Sequence, residues 1–557
     1  MKRFSTIFYT ICLISTLVSC ISEYESEPRN VISEDYIWSD PTTLNAEYFI
    51  SSIYATLPGG GNRLNGVALD CATDDAVPSD DGSGTWSVIR SGYSSTSTFD
   101  DKWATSYAGI RKANIFLANY QRVAWLDPLK KKWFPAEARF IRAIHYFELV
   151  KRYGGIPLIG DKVLTLTDDL NFPRNSVSEC FQYLVSECDA IKDSLRTDPI
   201  PSTFFGRVGK AAALTLKTKV LLLAASPLYN TTNDLSKWKA AADAAKEVID
   251  LGAYTLEANR YTLATARVNN ENIFIRQGGS NANGYVYEVS PVGYRPGNTA
   301  SAGRISPTQE LVDAFGMKNG KAITEVGSGY DATNPYANRD PRLDQTIFYN
   351  GQTWLRRAVE TFEGGQDKPN STSIAVQTKT GYYSKKLLAN DANSTTYSTV
   401  NGAWTIFRYA DVLLMYAEAL NEYAGPGAAS TTTTADGKTI NGVYDAVQAI
   451  RNRAGLVPYA LANGLTQTQM RDIIRNERRV EFAFEEQRFW DIRRWKTAES
   501  VYGTTLHGVK ITKNTAGKFM YEKIDVTTPF FASYMYVFPI DNAEILKNSK
   551  LIQNEGY

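Results

Sequence analysis

Acidic doublets are the residues in this sequence most able to break a bond. Asp74-Asp75 and Asp80-Asp81 fall in the stretch Asp70 to Tyr93, which mixes Asp, Gly, Ser and Pro around an isolated Trp86. Glycoside hydrolysis needs two carboxyl groups roughly 5 to 9.5 Å apart, one to protonate the leaving oxygen and one to attack or to activate water. Loop carboxylates also suit a hard cation, so a structural calcium ion is admissible, although no EF-hand spacing accompanies them. Acidic doublets are equally at home in solvated loops, and other catalytic patterns are missing. The chain holds 2 histidines, and His145 lies in an apolar helical run where a hydrogen-bonded core histidine is the ordinary outcome. No H-E-x-x-H, C-x-x-C or phosphate-loop signature is present, and Gly278-Gly279-Ser280-Asn281-Ala282 lacks the closing glycine of a nucleophile elbow. Neither a catalytic constellation nor a cofactor is expected.

Binding is better supplied. The chain carries 33 Tyr, 24 Phe and 10 Trp, and a sugar ring lays its C–H face on such rings while its hydroxyls take polar partners at the edges. Rings in loops are therefore the candidates. Trp86 and Tyr93 come from the first long loop, and Tyr285, Tyr287, Tyr294 and Arg295 from N-G-Y-V-Y-E-V-S-P-V-G-Y-R, with Asp75 as a hydroxyl acceptor. Each ring could equally be a packing ring of its loop. The formal charge of +1, which becomes −1 once Lys2 and Arg3 leave with the leader described below, gives no grip on nucleic acid.

Helices must position these loops. Apolar residues at steps of three and four predict helices over Leu44–Leu57, Trp103–Val123, Trp133–Tyr153, Val177–Leu195, Lys210–Ala225, Trp238–Leu251, Phe407–Tyr423 and Val443–Arg453. Pro135 would fall in the first turn of its helix. Helix, short turn, helix, repeated, is the outline of a tetratricopeptide-like array, with a period too irregular to stand alone. Between 253 and 403 Gly, Asn, Ser, Thr and Tyr dominate, with short strand-like pieces such as Ile273–Arg276, and Tyr536–Ile540 reads as a strand near the end. Arg471–Trp495 is predicted as one helix, with Arg478 pairing Glu481 and Glu485 pairing Arg488 along it, and Phe482, Phe484, Phe489, Trp490 and Trp495 supplying apolar surface. Charges in aromatic company read better as a structural ion-pair network than as a catalytic cleft.

The start of the chain carries an address. Met1-Lys2-Arg3 and the apolar run Phe4–Val18 have the form of an export signal, too short to span a membrane. Leu17-Val18-Ser19-Cys20 resembles a bacterial lipobox, in which cleavage before Cys20 leaves its thiol to carry a diacylglycerol. Acyl chains anchor at about 0.8 kcal/mol per buried methylene, and the acidic Ile21–Arg29 reads as a tether. Of the remaining cysteines, Cys180 and Cys188 are eight residues apart on one helix, too far to bridge.

Longer segments resemble the SusD/RagB family. They are A-E-A-R-F-I-R-A-I-H-Y-F-E-L-V-K-R-Y-G-G-I-P-L at Ala136–Leu158, G-K-A-A-A-L-T-L-K-T-K-V-L-L-L-A-A-S-P-L-Y-N at Gly209–Asn230, N-R-D-P-R-L at Asn338–Leu343, F-R-Y-A-D-V-L-L-M-Y-A-E-A-L-N-E at Phe407–Glu422, the Arg475–Trp495 segment and the N-E-G-Y terminus. The resemblance implies a mostly α fold, with tetratricopeptide-like helical pairs, a loop-rich ligand face and few short strands. It implies a signal peptide at 1–19, an anchored tether at 20–40, helical parts at 41–252 and 404–557, and a loop-rich part at 253–403. The implied function is capture of an oligosaccharide or related nutrient polymer at the outer membrane and its delivery to a SusC-type TonB-dependent transporter, without catalysis. A lipid-anchored glycoside hydrolase and a structural or peptide-binding surface protein are the alternatives.

Overall fold

The computed structural model describes residues 34–165, 167–278, 283–294, 302–372, 374, 376–400 and 402–557. Cys20, the leader and Arg295 lie outside the described residues, as does most of the Gly278–Ala282 stretch. The expected helical array is present, with few short strands. Its principal helices are α1 (Leu44–Tyr54), α2 (Trp103–Asn119), α3 (Pro128–Tyr153), α4 (Val177–Ile191), α5 (Lys210–Ala225), α6 (Leu235–Asp250), α7 (Tyr409–Ala424), α8 (Val443–Ala454), α9 (Gln467–Glu481) and α10 (Gln487–Arg494). Successive members from α2 to α6 pack on one another, and α7 returns to pack on α6. Short connections leave a helix no neighbour but the one before it.

Local chemistry sets the ends. The Asp127 carboxylate accepts from Leu129 N–H, Ser176 and Glu179 form a reciprocal box at the start of α4, and Thr466 with Gln469 does the same for α9. Asp127 starts α3 five residues before the periodicity predicts, so Pro135 lies inside the helix rather than in its first turn. The carbonyl that Pro135 leaves without a helical donor belongs to exposed Lys131, where water can reach it. Helix α5 is buried on nearly every side, and the alanines Ala241, Ala242, Ala244 and Ala245 of α6 let the two backbones approach closely.

Three other expectations are corrected. Asp70–Tyr93 is not an open loop: Val67 to Ser79 is buried, strand β1 (Ala76–Pro78) pairs antiparallel with β3 (Ile305–Pro307), and Thr85–Ser91 is a short helix. Tyr536–Ile540 forms no strand; Ser533–Tyr536 is a 3-10 turn, and the Phe538 N–H donates to the carbonyl of Arg152 at the end of α3. Arg471–Trp495 is two helices, broken at Phe482–Glu486, where Phe484 and Glu486 take φ of 60° and 61°. The break has a partner: the Phe484 N–H donates to the buried Asp70 carboxylate at 2.9 Å.

Across that break run ion pairs that mostly join different elements. Glu481, fully buried, accepts from Arg453 at 2.6 Å and Arg408 at 2.8 Å, with Arg342 at 3.3 Å and Arg260 at 3.7 Å. Arg478 bonds Asp411 and Asp491, and Arg494 bonds Asp491 and Glu418. Alternate residues of the same stretch enter two hydrophobic cores. Ile474, Phe482 and Phe489 join the large core of the helical array, while Val480, Ala483 and Phe484 join a second core built from the middle segment around Phe315, Phe348, Trp354 and Tyr383. The ring-rich middle segment is thus partly a core of its own. Cys71, Cys180 and Cys188 are free and buried, and burial raises the Cys180 thiol to about 11.

Burial alone would raise the Glu481 carboxyl, but its four guanidiniums outweigh that and hold it well below the usual range. Glu418, buried but facing Arg494 and Arg478, is held at about 2. A carboxyl depressed in the folded state adds stability above its unfolded pKa and loses it as pH falls through the folded one. The thermal midpoint should therefore hold above pH about 4.5 and fall steeply towards pH 2. Glu481→Gln, which leaves buried guanidiniums uncompensated, should cost about 3 kcal/mol or more at neutral pH. Calorimetry across that range, with a flat midpoint or an unaffected variant, would contradict the account.

Candidate functional site

Two adjoining cavities meet at Trp404, the first residue of strand β4 (Trp404–Arg408), which pairs antiparallel with β2 (Asn272–Arg276). One, of about 140 Å³, is walled by α3, α5 and the α9–α10 break, and includes Arg63, Lys151, Glu485, Glu486 and Trp490. The other, of about 170 Å³, includes Gly60, Gly61, Tyr285, Leu387, Arg408 and Glu485. Trp404, Thr405 and Glu485 line both.

Rings and glycines fit each other here. A Cβ on Gly60 would fall 1.9 Å from Trp404 Cε2, and one on Gly61 would fall 3.4 Å from Tyr285 Cε2, so the bare backbone of this turn is what the two rings rest against. Tyr285 is fixed by its hydroxyl, which donates to the Lys386 carbonyl at 3.1 Å. At the far end the half-buried indole of Trp490 carries Lys151 Nζ at 4.7 Å and the Arg152 guanidinium at 4.8 Å from its ring centre. Desolvation takes the Lys151 ammonium down to about 8, against the opposing pull of Glu148.

The carboxylates of this cleft are already occupied. Arg63 donates to both oxygens of Glu486, each at 2.8 Å, and Arg408 to both oxygens of Glu485, at 2.7 and 2.9 Å. Such forked pairs leave neither acid free to hand over a proton. Burial raises the Glu486 carboxyl; for Glu485, Arg408 and Lys386 outweigh burial and lower it. His145 is buried beside Thr56, with Nε2 and Oγ1 2.8 Å apart, and burial lowers its pKa to about 4.

The residues singled out from sequence separate into three groups. Trp86, Tyr93 and Asp75 are interior and present nothing to a ligand. Trp86 packs with Val77, Ile89 and Leu506 under Arg90; Tyr93 donates its hydroxyl to the Met535 carbonyl at 2.8 Å; Asp75 is paired with Arg479 at 2.7 Å. Asp74 likewise bonds Arg479 and Arg488, so a cation at this doublet would have to displace two guanidiniums. Asp80 and Asp81 stand apart from it near the surface, Asp81 paired with Lys379. Tyr287 and Tyr294 form a second cluster: Tyr287 meets Tyr397 edge-on with centroids 5.5 Å apart, and Arg357 stacks 3.5 Å over Tyr294, whose hydroxyl donates to the Trp354 carbonyl. Of the set, Tyr285 reaches the cleft. Trp404 was missed, although a lone Trp following Asn401-Gly402 at the head of the run W-T-I-F-R is a strand-start signal.

A family model described as the SusD family matches residues 270–557, and one described as starch-binding and associating with the outer membrane matches 33–222. SusD-like protein P2 of Formosa agariphila is 27% identical over the whole of both chains. A SusD-like protein of Bacteroides fragilis superimposes with a TM-score of 0.77 at 27% identity, covering 94% of this chain and 99% of that one. A SusD-like carbohydrate binding protein of the same species gives 0.71 at 25%, covering 93% and 100%. A laminarin binding SusD-like protein, at 21% identity and a TM-score of 0.63 over 92% and 99%, shares the fold. Among the described residues no helix is long and apolar enough to cross a membrane.

Overpacking at the turn should be felt by one ring. In fluorotryptophan-labelled protein, the fluorine resonance assigned to Trp404 by its loss in Trp404→Phe should move in Gly60→Ala, with the thermal midpoint lowered by the equivalent of about 1–3 kcal/mol. An unmoved resonance would show that the indole does not rest on this turn.

Proposed function

Because the chain belongs to the SusD family, we propose that it is a cell-surface glycan-binding lipoprotein, anchored through Cys20, that captures an oligosaccharide on the Trp404–Tyr285 cleft and passes it intact to a SusC-type TonB-dependent transporter. The family is one of carbohydrate-binding proteins, and the matching models and relatives carry the descriptions starch-binding, carbohydrate binding and laminarin binding. The observation that carries the reading is a pair of half-buried rings, Trp404 and Tyr285, lining a cavity whose one carboxylate among the described residues, Glu485, is forked to Arg408. Rings give a sugar an apolar face, and acids held in this way supply neither a general acid nor a nucleophile. The export leader and lipobox supply the anchor, and the model description of outer-membrane association agrees with it. Tyr287 and Tyr294, near Tyr397, extend the proposal as a second ring cluster for a longer chain.

Trp404→Ala should weaken binding to whichever polysaccharide of a starch, laminarin, dextran and uronan panel the protein retains, by about tenfold or more, equivalent to about 1.4 kcal/mol. No new reducing ends should appear in any incubation. Cys20→Ala should move the protein out of the membrane fraction of its own cells, and detergent extraction of the unaltered protein should bring down a SusC-type barrel. Cleavage of the polymer, or binding indifferent to Trp404, would overturn the reading.

A further inference from the structure

Arg276 stands at the end of β2 with its guanidinium unengaged. Among the described residues its side chain makes no ion pair and no hydrogen bond, and its Nε is shut off from solvent without a partner. A half-buried cation in that state has lost hydration and gained nothing in return. It lines a cavity of about 370 Å³ together with Ser51, Tyr54, Gly206, Arg207 and Gln277, and among the described residues no acidic side chain lines this space.

The charge behind the wall does not balance either. Arg207 donates to Glu137 at 3.3 Å and to the Ser51 hydroxyl at 3.0 Å, but Glu137 also holds Arg196 and accepts the Tyr54 hydroxyl at 2.7 Å. Two guanidiniums thus share one carboxylate, and Arg276 adds a third positive charge with no acidic partner among the described residues. A surplus of positive charge in a concave, partly desolvated space is an anion site, and a guanidinium takes a carboxylate or a sulfate ester through two parallel N–H···O bonds.

Register ties this cavity to the aromatic cleft. Arg276 lies directly opposite Trp404 in the antiparallel pair, so the two side chains leave the same face side by side. The turn above them confirms the spacing: a Cβ on Gly59 would come 3.1 Å from Arg276 Nη1, and a Cβ on Gly60 would come 1.9 Å from the Trp404 indole. Indole and guanidinium therefore sit under consecutive residues, roughly 3.8 Å apart along the chain.

We propose that the oligosaccharide received at Trp404 is acidic, and that Arg276, with Arg207 beside it, takes a carboxylate or sulfate group of the sugar adjoining the one stacked on the indole. This rests on the glycan-binding reading of Trp404 above and adds the class of glycan. Lys151, at the other end of the cleft, is taken by Glu148 and the Trp490 face, whereas Arg276 has no acidic partner among the described residues.

The test compares polygalacturonate, alginate and dextran sulfate with neutral dextran and laminarin, by affinity electrophoresis and calorimetry on the purified protein. At least one acidic polymer should bind in preference to the neutral ones and weaken as NaCl is raised. Arg276→Gln should weaken that binding by about tenfold with an unchanged thermal midpoint, since nothing in the fold holds the head group. Arg276→Lys, which keeps the charge without the fork, should recover part of it. Binding of acidic polymer unaltered in Arg276→Gln overturns the site. Binding confined to neutral polymer, and lost in Trp404→Ala, overturns the acidic assignment while leaving the glycan-binding function standing. Absence of binding to every polymer removes both.

Discussion

A single buried carboxylate, Glu481, holds together parts of the chain that sequence keeps far apart. Arg260 and Arg342 come from the middle segment, Arg408 from the strand that begins at Trp404, and Arg453 from the end of α8. Placing one anion among four cations inside a protein is costly unless each charge finds several partners, and here the cations are shared. Arg408 also reaches Glu271 and Glu485, Arg453 reaches Glu271, and Arg342 reaches Asp340 and Glu477. Such a lattice is a poor source of net stability and a strong source of uniqueness, because any other arrangement strands a charge.

The cleft inherits its rigidity from that lattice. Strand β4 carries Trp404 at its head and Arg408 at its foot, so the indole that faces the cavity and the guanidinium that enters the lattice belong to one five-residue element. Glu485, on the α9–α10 break, bonds Arg408 and lines both cavities. Burying the carboxylates that line the cavities in ion pairs has a chemical result as well: Glu485 and Glu486 are each tied to a guanidinium. The lattice thus holds the Trp404 indole in one place.

Much of this was legible in the residues, and several of the failures share one cause. Helices announced themselves through spacing, capping Ser, Thr and Asp, and stopping glycines, because these are local signals. The family segments fixed the fold class for the same reason. Trp86, Tyr93 and Asp75 looked like loop residues because their partners lie hundreds of positions away: Asp75 meets Arg479, and Tyr93 meets Met535. The break after Glu481 was invisible because helical periodicity continues through Phe484, and the Asp70 carboxylate that captures the Phe484 amide is over 400 residues upstream. Trp404 escaped because the loop-rich segment was read as ending at Ala403, one residue short of it. Arg276 carried no signal of its own, since a lone guanidinium is conspicuous only once the absence of its counter-ion can be seen.

The buried thiols have a practical corollary. Cys71, Cys180 and Cys188 are fully enclosed and unpaired, and the desolvation that raises Cys180 leaves it almost wholly protonated at neutral pH. A cysteine introduced at the exposed Gln277, on the rim of one cavity, would therefore be the thiol that a maleimide dye meets in the folded body, with no need to strip out the native ones. Burial adopted for packing thus leaves the folded body ready for single-site attachment of a fluorophore or spin probe.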